Sequence, residues 1–165
     1  MKQPETILLA EDNSDDAELI RLAFEQAGFT NLVAVVSDGK QAIKYLEGQG
    51  LYADRIQYPV PTLLLLDLKM PHSTGFEVLR WIRQLPEWMS LPVIILTASS
   101  EGSDIKQAYE LGANFFLTKP GKFSDLVEAF KQLGDFWLRD TYASVTDAFL
   151  PPPAPGRINF PLRLN

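Results

Sequence analysis

The sequence predicts an α/β fold: a doubly wound parallel sheet with helices on both faces. Three observations predict it. Strand-like and helix-like segments alternate five times along the 165 residues. The strand candidates are short, nearly unbroken apolar runs, the pattern of strands buried on both faces. Glycines or small polar residues fall where a helix would start or stop. A repeated strand–helix unit implies parallel pairing with crossover helices.

The elements follow in order. Strands are expected at 6–10, 32–36, 63–67, 93–97 and 114–118. The first helix is expected to start near Ser14, whose hydroxyl can cap it, with Asp15 and Asp16 in the first turn where the helix dipole favours anions. Its apolar residues Ile20, Ala23, Phe24 and Ala27 keep helical spacing, and Gly28 stops it. The second helix is expected at 38–46, the third at 75–84 burying Val78, Leu79 and Ile82, and the fourth at 102–111 with Gly112 as its stop. The fifth, 124–138, buries Leu126, Phe130, Leu133 and Trp137.

Two segments break the rhythm. The connection 48–61 is long for a helix-to-strand loop, where about 2–6 residues is usual. Its Tyr52, Tyr58, Pro59 and Pro61 mark it as packed. A domain at 5–138 is followed by an extension, 139–165, with a spacer of Pro151, Pro152 and Pro153. Beyond the spacer, Ile158, Phe160, Leu162 and Leu164 alternate with other residues at strand spacing, and Pro161 limits them to an edge. An ordered arm is expected there.

Composition excludes several classes. Hydrophobic content of 46% is that of a folded protein. The formal net charge of −6, with no basic run, argues against nucleic acid as a partner. There are no cysteines and one histidine, which removes disulfides, thiolate sites and His-rich zinc sites. No signal segment or membrane-length apolar stretch is present, so a soluble cytoplasmic protein is expected.

The chemistry lies at the predicted strand ends. Asp67 closes the run Leu63-Leu64-Leu65-Leu66. Burying a carboxylate costs several kcal/mol unless something compensates it. Glu11 and Asp12 close the first strand, Thr97 the fourth, and Lys119 the fifth. In open parallel sheets the functional crevice lies beyond the carboxyl ends of the strands. Three acids and one ammonium there point to a divalent cation, a carboxylate to be modified and a counter-charge.

These residues resemble the receiver domains of two-component response regulators, over roughly 6–138. The likeness rests on Glu11-Asp12, on Asp67-Leu68-Lys69-Met70-Pro71 with Gly75, on Thr97-Ala98 and on Lys119-Pro120. "LLAEDNSDD", the long loop before the third strand and the ending Phe136-Trp137-Leu138 look like the small regulators that partner bacterial phytochrome kinases. The resemblance implies a flavodoxin-like (βα)5 sheet in the order 2-1-3-4-5. It implies Asp67 as phosphoacceptor from a sensor histidine kinase, with Mg2+ held by Glu11, Asp12, Asp67 and the Lys69 backbone carbonyl. Lys119 would pair with Asp67 and then with the phosphoryl group. The Thr97 hydroxyl and the Ala98 N–H would donate to phosphoryl oxygens, and Phe116 would occupy the aromatic switch position, by burial rather than by a hydroxyl. A cis Lys119–Pro120 bond is expected on the same ground. Lys69 and Ser99 depart from the family's commoner residues at positions flanking the attacking water.

Two other readings fit the residues less well. A haloacid-dehalogenase-type phosphohydrolase would carry its nucleophile after the first strand, which here ends Glu11-Asp12-Asn13. A pseudo-receiver scaffold would not need Asp67, Thr97 and Lys119 together. The expectation is a phosphoacceptor rather than an enzyme, acting through protein contacts, because the tail is short for an output module. Tyr109, Phe123, Phe136 and Trp137 offer more aromatic surface than one core absorbs, so a homodimer through the fourth and fifth helices and the fifth strand is expected.

Overall fold

The computed structural model describes residues 5–137, with side chains described as far as Gly134. The five strands are β1 (Thr6–Ala10), β2 (Leu32–Val36), β3 (Leu63–Leu66), β4 (Val93–Thr97) and β5 (Phe115–Thr118). The helices are α1 (Ser14–Gln26), α2 (Gly39–Glu47), α3 (Gly75–Gln84), α4 (Gly102–Glu110) and α5 (Phe123–Trp137). All pairings are parallel and the order is β2-β1-β3-β4-β5. The arm expected at 139–165 lies outside the described residues.

Both faces of the sheet are covered, which is why the strands read as continuous apolar runs. Ile7, Leu9, Leu63, Leu65, Ile94 and Leu96 point to one face and pack under α1 and α5. Leu8, Ala10, Leu64, Leu66, Val93 and Ile95 point to the other and pack under α2, α3 and α4. The period-two alternation of a strand thus feeds two cores from one run. Stacked rings of Phe24 and Phe130, 3.9 Å apart, join α1 to α5.

The long loop is packed, as expected. Its Gly50–Ala53 turn brings Tyr52 against Tyr45 and Tyr58, with centroids 5.0 and 5.2 Å apart for the Tyr45–Tyr52 and Tyr52–Tyr58 pairs. The Arg55 guanidinium donates to the Tyr45 and Leu46 carbonyls at the end of α2, at 2.8 and 2.7 Å.

One cap differs from expectation. The side chain of Asn13, not Ser14, accepts from the Asp16 N–H at 2.9 Å, and Ser14 is the first helical residue. An amide oxygen one residue earlier reaches the free N–H of the first turn, and the serine is left exposed.

Candidate functional site

The C-terminal tips of β1, β3, β4 and β5 converge. Parallel register sets Ala10 beside both Val36 and Leu66, so the residues that follow, Glu11 and Asp67, emerge side by side. The Asp67 N–H donates to the Ala10 carbonyl at 3.1 Å, and the Glu11 N–H to Val36 at 2.9 Å. Backbone pairing therefore carries both carboxylates to the crevice.

Asp67 and Glu11 are 6% and 3% exposed, while Asp12 lies open to solvent. One carboxylate oxygen from each lies within 4.8 Å of the others, a spacing that could hold a metal ion. Lys119 faces this group. Its ammonium is 2.6 Å from Glu11 Oε2, 3.0 Å from Asp16 Oδ2 and 3.2 Å from Asp67 Oδ2. Burial alone would lower its pKa, but the bonds to Glu11 and Asp16 and the Asp67 charge outweigh that and raise it. The lysine is a fixed cation. Burial is also the largest influence on Glu11, and Asp67 adds repulsion. Together they exceed the pull of Lys119 and lift the Glu11 carboxyl from 4.5 to about 7.

The site has a surplus of carboxylate. Glu11, Asp16 and Asp67 share the Lys119 ammonium, and Asp12 adds a fourth carboxylate beside Glu11 and Asp67. Glu11 Oε2 is buried, and its partner is the lysine ammonium 2.6 Å away. An oxygen-only donor set with more carboxylates than the one lysine can balance fits a hard divalent cation such as Mg2+.

The loops are built around these groups. Asp67 Oδ1 accepts from the Lys69 N–H at 3.2 Å, while Lys69 itself is exposed. Gly75 starts α3 because a Cβ there would overlap the Asp67 carbonyl oxygen and sit 2.9 Å from Leu68 Cα. Thr97 is 1% exposed, and its carbonyl accepts from the Lys119 N–H at 2.7 Å. Ala98, next to it, is exposed.

The expected cis bond at Lys119–Pro120 is not found: no described peptide bond is cis. Trans is the lower-energy isomer by about 0.5–1 kcal/mol. With the Lys119 N–H anchored on Thr97, the ammonium already reaches its carboxylates, so nothing requires the other isomer.

Asp16 is the site residue that sequence reasoning missed. It was read as a first-turn acid of α1, yet it reaches Lys119. The signal was available in the acid-rich run Glu11 to Asp16, which brings the first turn of α1 back over the end of β1.

The aromatic positions separate. Phe116 is half-buried against the α2–α3–α4 core, and its N–H donates to the Tyr109 hydroxyl at 3.1 Å. Tyr109 is therefore engaged within its own chain. Phe123 is 36% exposed. The side chains of Phe136 and Trp137 lie outside the described ones.

Comparison with known proteins agrees with this geometry. Residues 7–131 match the response regulator receiver domain family. The response regulator Rcp1 of a Synechocystis strain is 36% identical over 135 residues, covering 82% of this chain and 90% of that protein. The structure of response regulator RPA3017, from red light signaling of R. palustris, superposes with a TM-score of 0.78 at 38% identity, covering 82% of this chain and 94% of that one. The phosphorylated cyanobacterial phytochrome response regulator RcpA gives 0.75 at 34%, covering 90% and 99%, and the Mn(2+)-bound form of Rcp1 gives 0.74 at 34%, with the same coverage. Among the described residues no helix is long and apolar enough to cross a membrane. With sheet order, site geometry and sequence in agreement, the chain belongs to the response regulator receiver-domain family and is related to the phytochrome response regulators.

Proposed function

We propose that Asp67 accepts a phosphoryl group from the phosphohistidine of a sensor kinase. One observation carries the reading: a buried strand-end carboxylate lies 3.2 Å from a lysine ammonium inside a ring of further acids. An Asp67 oxygen attacks phosphorus, the P–N bond breaks, and the imidazole leaves with the bonding pair. Little covalent assistance is needed, so positioning and charge carry the reaction.

Lys119 stands where the phosphoryl oxygens would arrive and exchanges part of its pairing with Asp67 for pairing with them. The Thr97 hydroxyl and Ala98 N–H donate to the same oxygens, and Phe116 follows Thr97. Glu11, Asp12, Asp67 and the Lys69 carbonyl would hold Mg2+. When bound, that ion would offset the charge that a phosphoryl group adds to an already acidic site. A Mn(2+)-bound relative and a phosphorylated relative support both parts. The phytochrome relatives support a phytochrome-type histidine kinase as donor.

Incubation with acetyl phosphate and Mg2+ should add one phosphoryl group, seen by intact mass and on a phosphate-affinity gel. Asp67→Asn should abolish it. An unchanged shifted band in that variant would sink the assignment.

A further inference from the structure

We propose that Ser99 and Asp104 form a relay tying the Thr97 hydroxyl to the first turn of α4. Asp104 is then a positioning residue for the response to phosphorylation. The proposal rests on Asp67 as phosphoacceptor and adds a residue that lies outside the strand ends.

The geometry runs through one residue, its backbone N–H on one side and its hydroxyl on the other. Thr97 Oγ1 accepts from the Ser99 N–H at 3.4 Å. The Ser99 hydroxyl lies 2.6 Å from Asp104 Oδ2, and Ser99 is 8% exposed. An ionised carboxylate can only accept, so the serine must donate to it. Its lone pairs stay free to accept, and the Glu101 N–H lies 3.4 Å away. Glu101 is the N-cap of α4, and its own side chain makes no capping bond. In an ordinary capping box the acid at the third helical position bonds the N-cap N–H directly. Here Asp104 holds that position, and the serine hydroxyl is inserted between acid and N–H. The Ser99 carbonyl also accepts from Thr118 Oγ1 of β5 at 3.5 Å.

Two consequences follow. While donated to Asp104, the Ser99 hydroxyl cannot donate into the phosphoryl site. And if Thr97 turns toward a phosphoryl oxygen, the Ser99 N–H loses its acceptor, on the same residue that completes the start of α4. The relay favours the resting arrangement. Part of the free energy of phosphoryl binding is spent in releasing it, which lowers apparent affinity.

The test is a double-mutant cycle on the full chain with Mg2+. Beryllofluoride, a phosphoryl mimic, gives an equilibrium affinity, and acetyl phosphate gives a rate. Asp104→Ala and Ser99→Ala should each tighten beryllofluoride binding by about three- to tenfold, the net range of one ordinary hydrogen bond. The double variant should do no more than either single one. Asp104→Asn keeps an acceptor for the hydroxyl and should stay near the unaltered protein. Additive effects, or an altered melting temperature with unaltered beryllofluoride affinity, would overturn the relay. If the unaltered protein itself takes neither acetyl phosphate nor beryllofluoride, the Asp67 reading fails instead, and the relay's role falls with it.

Discussion

Lys119 and Arg83 are cations set at opposite ends of the same strands, and their surroundings differ in kind. Lys119 follows β5 and faces three carboxylates, on Glu11, Asp16 and Asp67. Arg83 lies where β4 and β5 begin, and every acceptor it has among the described residues is neutral. Its Nε donates to the Gly112 carbonyl at 3.0 Å, and Nη1 to Leu91 and Met89 at 2.8 and 3.0 Å. Its Nη2 reaches Asn114 Oδ1 at 2.9 Å, an oxygen that also accepts from the Val93 N–H at 2.8 Å. Burial lowers the Arg83 pKa, yet a guanidinium stays charged. Neutral carbonyls around a fork of fixed donors make a staple between α3 and the loops that open β4 and β5. Carboxylates around a single ammonium make a field that an incoming anion can rearrange.

Removing each cation should separate the two roles. Lys119→Met should lower the rate of phosphorylation by acetyl phosphate by about 100-fold or more, as loss of a charged oxyanion donor does. In saturating Mg2+ it should cost less stability than the arginine change. Arg83→Met should leave several carbonyls without donors and cost about 3 kcal/mol in urea unfolding. Its phosphorylation rate should stay within about twofold of the unaltered protein, since no Arg83 partner touches the site. A folded Arg83→Met protein with a collapsed phosphorylation rate would erase the distinction.

A smaller effect comes from Glu11. Its folded-state carboxyl is raised from 4.5 to about 7, so the folded chain binds more protons than the unfolded one between those values. Stability in the absence of metal should then fall as pH rises through that window, the reverse of a salt-bridged acid. Mg2+ binding requires the deprotonated group and should grow tighter through the same range. Melting curves at several pH values, with and without Mg2+, check both statements. Glu11→Gln should flatten the metal-free trend, and an unchanged slope in that variant would place its origin elsewhere.

The fold and most of the candidate site were legible because the decisive signals were local. Apolar runs with a charged residue at the end, such as Leu63 to Asp67, specify both a buried strand and a crevice. What stayed hidden depends on contacts between distant elements. Arg83, one of two arginines in α3, gives no sign that it will find Gly112 and Asn114. Asp16 reaches Lys119 across 103 positions. Tyr109 was read as spare aromatic surface, but its hydroxyl meets the open edge of β5 at Phe116. The relay through Ser99 escaped too, because a serine three residues before a helix has the composition of any loop.

The smallest effect concerns a neighbouring pair of residues that composition cannot tell apart. Asn13 and Ser14 are both good caps, and the choice between them turns on which backbone leaves the helical region first. Asn13 has φ −87° and ψ 114°, extended values, and its side chain takes the Asp16 N–H. That bond also holds the first turn, and Asp16 with it, over the end of β1, where its carboxylate meets Lys119. Asn13→Ala should therefore cost about 1 kcal/mol, the ordinary worth of a cap. Ser14→Ala should be close to neutral, because its hydroxyl is exposed and makes no capping bond. Unfolding in urea resolves the difference. Asn13→Ala should also slow phosphorylation slightly in low Mg2+ by loosening the Asp16–Lys119 contact, which sets the lysine free to drift from Asp67. Equal losses from the two variants would show that the cap is shared, and that the start of α1 is set by packing under β1 rather than by Asn13.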